Sequence, residues 1–255
     1  MPGEPPVLWQ FRQSHFNEKI RWALDWKGIP HVRRSVLPGP HVPVLLWLTG
    51  QKQVPALILD GRAVTDSTAI IAALEARHPA PPLYPSDPAL RERALALEDF
   101  FDRELGPHIR RTFFHAVLPD TDFAAALMAT GFGPVAQTLY RAAFPAVRAI
   151  MRLDMRIDDA GAELGRAKIA AALDRIAAEL GPHGYLVGDR FSVADLTAAA
   201  LLYPIVQPAE HPYQAPAPMP AAAATLCASF RNHPAFRWAE DLYRRHRGVA
   251  MDLAA

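Results

Sequence analysis

The sequence predicts an α/β unit followed by an all-helical one, and three observations carry that prediction. Over residues 6–78 the apolar pattern switches between strand-like runs and helical spacing in the order β-α-β-α-β-β-α. A proline-rich stretch, HPAPPLYPSDP at 78–88, then breaks any regular element. Beyond residue 90 the apolar positions keep helical spacing and no convincing strand appears.

Each element has a local reason. PVLWQF (6–11) is a short apolar run of strand type. RQSHFNEKIRWAL follows, a basic, amphipathic helix with Phe16, Ile20, Ala23 and Leu24 on one face. Gly28 stops it, with Pro30 just beyond. HVRRSVL (31–37) alternates as a second strand, and a short apolar helix is expected around Val44–Leu48. VPALILDGRAVT holds two apolar runs about Asp60-Gly61, the dipeptide of a two-residue hairpin turn. DSTAIIAALEARH opens with capping residues and continues as a helix. The divisions expected are 1–80 for the α/β unit, 81–88 for the linker and 89–255 for the helices. Within the last part, helices are expected from Ala94 through Ile109, around 121–130, 134–157 and 163–180, after Ser192, and over HPAFRWAEDLYRRHR. YPIVQPAEHPYQAPAPMP (203–220) reads as an irregular surface loop.

Composition narrows the function. The chain of 255 residues is 51% apolar and 21% charged, as a packed globular protein should be. A net charge of +1, with basic residues scattered, argues against a nucleic-acid surface or a polybasic membrane patch. No run of apolar residues is long enough to span a bilayer, and MPGEPPVLW lacks the pattern of a secretion signal. The single cysteine, Cys227, has no partner for a disulfide or a CxxC site, which favours a cytoplasmic setting. Ten histidines are scattered without metal-ligand spacing, so no metal site is expected.

Three short stretches have both a structural and a chemical reading. Pro55 in QVPAL can simply begin an edge strand, since proline lacks an N–H. In a β-α-β-α-β-β-α unit it also resembles the cis-proline of the thioredoxin-like fold, where the preceding residue turns its backbone groups toward a peptide. Asp66 and Ser67 can cap the helix they open, or take part in an anion site at its N-terminus. Ser14 can cap the first helix, although Glu18 lies one residue too far along for a capping box. Alternatively its hydroxyl can donate to a bound thiolate, lowering a thiol pKa that is ordinarily about 8.5.

Taken in order, the strand–Ser14–helix with EKIRWAL, then QVPAL, DSTAI and a proline-rich linker into helices resemble the glutathione transferase superfamily. YLVGDRFSVADLTAAALL (185–202) resembles the signature of that family's helical domain, with Ser192 and Asp195 as a capping box. The resemblance runs from about residue 6 to 247. It implies a thioredoxin-like N-terminal domain, an all-helical C-terminal domain and glutathione as co-substrate. Ser14 matches the catalytic serine of the serine-type classes, and Asn17 stands where a thioredoxin has its second cysteine. By the same resemblance Val54 pairs its backbone with the cysteinyl part of glutathione, with Pro55 cis. Asp66 and Ser67 hold the γ-glutamyl end, Gln53 adds a side-chain contact, and His41 reaches the glycyl carboxylate. Asp66 is a departure, because the family more usually has Glu there. RRTFFH (110–115) is expected to line or flank the cleft where the family binds its electrophile.

The implied activity is attack of the glutathione thiolate on a small hydrophobic electrophile or a peroxide, by a homodimer. Two rivals remain at this stage. One is a non-catalytic scaffold with the same fold, for which the long proline-rich loop would be a docking element. The other is a hydrolase using Ser14, against which stands the lack of any GxSxG pattern.

Overall fold

A computed structural model describes residues 4–253. The first unit runs β1 (Val7–Gln10), α1 (His15–Trp26), β2 (Val32–Ser35), α2 (His41–Thr49), β3 (Ala56–Leu59), β4 (Arg62–Thr65) and α3 (Ser67–Arg77). The sheet order is β2-β1-β3-β4, with β1 and β2 parallel across the α1 crossover and β3 antiparallel to both β1 and β4. This is the thioredoxin-like arrangement. The hairpin turns at Asp60 and Gly61, whose φ angles of 50° and 72° suit a turn that needs two left-handed residues. Gly28 closes α1 at φ 62°, and Ile29 N donates back to Leu24 O at 3.0 Å.

Helices make up the rest: α4 (Pro88–Phe100), α5 (Gly106–Val117), α6 (Thr121–Met128), α7 (Pro134–Asp154), α8 (Asp159–Glu179), α9 (Val193–Val206), α10 (Ala221–Phe230) and α11 (Pro234–His246). A π-helical stretch, Phe101–Leu105, joins α4 to α5. The continuous spacing from Ala94 to Ile109 therefore holds, with one wider turn inside it. The α10 segment is a helix the alanine-rich pattern did not single out.

Every residue of α9 is buried, which its unbroken run of small and apolar residues requires. Its start is fixed by Asp195, whose carboxylate accepts from Ser192 N at 2.9 Å, Ser192 Oγ at 2.8 Å and Leu186 N at 2.8 Å. Burial raises this carboxyl to about 6, despite those three donors. The capping box read from the sequence is present. The α9 helix packs on α1, α4, α5 and α11. Gly165 on α8 allows the α5–α8 contact, because a Cβ there would collide with Thr112 and the His108 carbonyl.

Two readings need correction. The stretch 203–220 is not a surface loop throughout. Tyr203–Val206 complete α9, and His211 beyond them is only 3% exposed. The His211 ring stacks on Tyr203 at 3.7 Å, and Tyr213 reaches Gln10 on β1, its hydroxyl accepting from Nε2 at 3.0 Å. The loop folds inward because its aromatic and imidazole side chains find polar and cationic partners on β1 and α1.

The second correction concerns α1. Its polar face is buried as deeply as its apolar one: Asn17, Glu18, Lys19 and Arg21 are all 0% exposed. Glu18 accepts from Arg21 Nε at 2.7 Å and from Arg247 Nε at 2.5 Å. Asp25 accepts from Arg33 Nη2 at 2.7 Å and Arg247 Nη1 at 2.8 Å. Lys19 pairs with Glu98 at 2.8 Å and Asp102 at 2.7 Å. Beyond α11 the chain returns to β2: His31 N donates to Met251 O at 3.1 Å and Leu253 N to His31 O at 2.8 Å. That single bridge sits at the entry to β2, an edge strand of the sheet.

Candidate active site

The strand register gathers the predicted residues at one end of the sheet. Trp9 lies opposite Ala56, and Ala56 opposite Thr65. The end of β1, the start of β3 and the end of β4 therefore share an edge. From that edge the chain leads to Ser14, Pro55 and Asp66 respectively.

Ser14 is the N-cap of α1 and half-buried. Its Oγ accepts from Asn17 N at 3.4 Å, a long bond. The hydroxyl proton has no acceptor among the described residues, so it is free to donate while the oxygen caps. The first turn of α1 also supplies the positive end of a helix dipole. Arg21 holds the cap from behind, Nη2 donating to Ser14 O at 3.4 Å. Asn17 is buried beside it, and neither side-chain amide atom has a hydrogen-bond partner among the described residues.

The Val54–Pro55 bond is cis. Val54 lies just outside the β1–β3 register, which ends at Ala56. Gln53 is exposed and makes no side-chain hydrogen bond among the described residues. Asp66 sits at φ 73°, caps α3, and accepts from Thr68 N at 3.0 Å and Ala69 N at 3.1 Å. Only Oδ1 is used, leaving Oδ2 open on an exposed residue, whereas Ser67 beside it is 5% exposed. His41 opens α2 rather than lying in the preceding loop. Its Nδ1 accepts from Gly39 N at 3.0 Å, and its ring meets Phe11 edge-on at 4.7 Å. Burial lowers its pKa, so at neutral pH it offers no full positive charge.

Between the two units, beside Ser14, lies a small pocket lined by Gln13, His15, Arg110, Phe113, Phe114 and Tyr203 among others. The stretch 110–115 thus does reach the cleft. His15 Nε2 donates to Gly106 O at 2.9 Å, and burial together with the Arg110 charge lowers its pKa to about 3. Close approach of α1 and α5 depends on Gly106, where a Cβ would strike the Phe16 ring. Tyr203 donates to Gln13 Oε1, tying α9 to the turn before Ser14.

Some contributors left no local mark in the sequence. Tyr213 and His211 come from the proline-rich loop, and Arg12 lies over the Tyr213 and Phe132 rings at 5.4 and 5.1 Å. Cys227 is buried and its thiol is raised to about 11, so it is no candidate nucleophile. No cluster of metal-ligating side chains occurs among the described residues, and no helix is long and apolar enough to cross a membrane.

A thioredoxin-like sheet carrying this edge, joined to a bundle built around a wholly buried capped helix, defines the class. Family models agree: residues 8–82 match the glutathione S-transferase N-terminal domain and residues 159–224 the C-terminal domain. The chain belongs to the glutathione S-transferase superfamily. Among similar proteins, a probable maleylacetoacetate isomerase of Caenorhabditis elegans is 25% identical over 80% of each chain. A maleylpyruvate isomerase of Ralstonia sp is 31% identical over 42% of this chain, which spans only 55% of that relative. A theta class glutathione S-transferase from Xanthomonas axonopodis pv. citri, solved with glutathione bound, has a TM-score of 0.57 at 23% identity, covering 98% of this chain and all (100%) of that one. At that identity the likeness speaks for the fold.

Proposed function

We propose that the protein is a glutathione transferase, in which Ser14 stabilises the thiolate of bound glutathione for attack on a small electrophile or a peroxide. The observation that carries this reading is the unengaged hydroxyl proton of Ser14 at the positive end of α1, at the sheet edge shared with the cis Val54–Pro55 bond and Asp66. The residues present fit the tripeptide. Val54 lies outside the strand register and has backbone groups to pair with the cysteinyl unit. Asp66 Oδ2 and the Ser67 hydroxyl flank the α3 N-terminus, where the ammonium and carboxylate of the γ-glutamyl end would be held. Gln53 and His41 are the contacts for the remaining groups, with His41 acting as a neutral hydrogen-bonding group rather than as a cation.

When bound, glutathione supplies the nucleophile. The chain's own part is to orient it and to favour its ionised form. The Ser14 O–H donates to sulfur, the helix dipole adds to that, and Arg21 keeps the cap in place. Phe113 and Phe114 exclude water from the far side of the cleft.

Exposed apolar side chains support a homodimer. Trp47 on α2 is 86% exposed, and Leu153 on α7 is 82% exposed. Lys52, just beyond α2, pairs with Asp154, the last residue of α7, at 3.0 Å, so the ends of the two helices lie close together. A cytoplasmic location is proposed with it, because the single cysteine, Cys227, has no partner for a disulfide.

The test is glutathione titration by calorimetry, followed by turnover of Ser14→Ala. Losing a charge-assisted hydrogen bond costs about 1.5–3 kcal/mol, or roughly one to two decades in rate. Turnover should fall by that factor while glutathione affinity changes little. Unaltered turnover would reduce Ser14 to a helix cap, and no binding at millimolar glutathione would favour the scaffold.

A further inference from the structure

Arg110 is half-buried in the cleft, yet it forms no ion pair and no hydrogen bond among the described residues. Its Nε is shut off from solvent with no partner. The neighbouring Arg111 behaves differently, donating from Nε to Met155 O at 2.9 Å. The carboxylate that bears most on Arg110 is Asp154, and it is already engaged with Lys52 at 3.0 Å near the surface. No Asp or Glu lines the pocket. Its other polar neighbours supply no negative charge: His15 is neutral and spends its Nε2–H on Gly106 O, and Gln13 is held by Tyr203.

A guanidinium partly withdrawn from water without a counter-charge is costly, and the Nη groups of Arg110, which have no partner among the described residues, are left to a ligand. Burial works against the charge on Arg110, and Arg111 adds repulsion. The pocket around it is otherwise apolar on the Phe113 and Phe114 side. An arginine presents a planar fork that suits a carboxylate.

We propose that Arg110 is the anion-binding residue of the second-substrate pocket, and that the electrophile this protein takes carries a carboxylate beside an unsaturated or aromatic carbon skeleton. The carboxylate meets the guanidinium, the skeleton lies against Phe113 and Phe114, and the reacting carbon is turned toward the Ser14 end of α1. The assignment rests on the transferase reading for its chemistry, but its binding component does not need glutathione.

The experiment compares 3-nitrobenzoate with 3-nitrobenzamide, probes of nearly equal shape that differ in charge. Their affinities for the full-length protein are measured by ligand-observed NMR, with and without glutathione. Wild-type protein should bind the carboxylate at least about tenfold more tightly, the usual effect of a charge-assisted pair. Arg110→Gln should erase that preference, and Arg110→Lys should keep only part of it, since lysine lacks the fork. With glutathione present, Arg110→Gln should raise KM for 4-chloro-3-nitrobenzoate by about tenfold or more while changing KM for 4-chloro-3-nitrobenzamide less than about threefold. Equal affinities in the wild type, or a preference surviving in Arg110→Gln, overturns the proposal. If Arg110→Gln fails to fold, the wild-type comparison and Arg110→Lys decide. A carboxylate preference without glutathione binding would sink the transferase reading and leave the anion pocket standing. Glutathione binding without the preference would do the reverse.

Discussion

Replacing Glu18 by glutamine tests whether the charges buried around α1 are balanced as a set. Glu18 and Asp25 are surrounded by Arg21, Arg33 and Arg247, with Asp252 at the margin accepting from Arg33 N at 3.2 Å. Burial pushes the Glu18 carboxyl up, but Arg247 and Arg21 outweigh that and bring it down to about 2. With Glu18→Gln, three guanidiniums are left with one buried carboxylate. Unbalancing a buried set of this kind costs about 3–5 kcal/mol. In a chain of this size, each kcal/mol lowers the melting temperature by roughly 2–4 °C. Urea unfolding should therefore show Glu18→Gln less stable by that amount, with a melting temperature roughly 6–20 °C lower. Adding Arg247→Met removes the surplus cation, so the double variant should be at least about 1 kcal/mol more stable than the two single changes sum to. Strict additivity, or a loss under about 1 kcal/mol in Glu18→Gln, would refute the idea of a balanced set.

Two further outcomes follow from the same packing. His211 is buried and neutral, with Nδ1–H donating to Tyr213 O at 2.7 Å and Nε2 accepting from Arg21 at 3.2 Å. Burial lowers its pKa to about 3, although Glu18 pulls the other way. The unfolded chain takes up a proton there below about pH 6.5 and the folded one does not, so this contribution is full above that pH and falls as pH drops. Between pH 6 and 4.5 the wild type should lose about 2 kcal/mol relative to His211→Gln, whereas parallel stability curves would show that the imidazole titrates normally. Trp47→Asp should shift the particle from dimer to monomer in light scattering at micromolar concentration, and a wild type already monomeric there would remove the proposed interface.

The parts legible in the sequence are those with local causes. Asp60-Gly61 specifies a turn, Gly28 a helix stop, and Ser192 with Asp195 a capping box, because each acts within four residues. Ser14, Pro55 and Asp66 also stand at ends of elements that local pattern defines, so the candidate edge could be drawn before the sheet was seen. The polar side of α1 was not legible in this way. Amphipathic spacing says where apolar residues are, but it does not say that Glu18, Lys19 and Arg21 have partners at Arg247, Glu98, Asp102 and Gln10. The loop after α9 failed for a related reason: proline content suggests exposure, and only long-range stacking of His211 and Tyr213 reverses it. Arg110 belongs with these. RRTFFH locates it near the cleft, but its want of a counter-charge is a property of everything around it.

The return of the chain end to α1 sets an order of events during synthesis. Gln10 waits for Tyr213, which lies 203 positions later, and Glu18 for Arg247, which lies 229 positions later. Until those residues leave the ribosome, Glu18 has only Arg21 and Asp25 only Arg33 as a charged protein partner. The thioredoxin-like half is thus completed last, and a fragment holding that half alone would be a poor substitute for the whole chain.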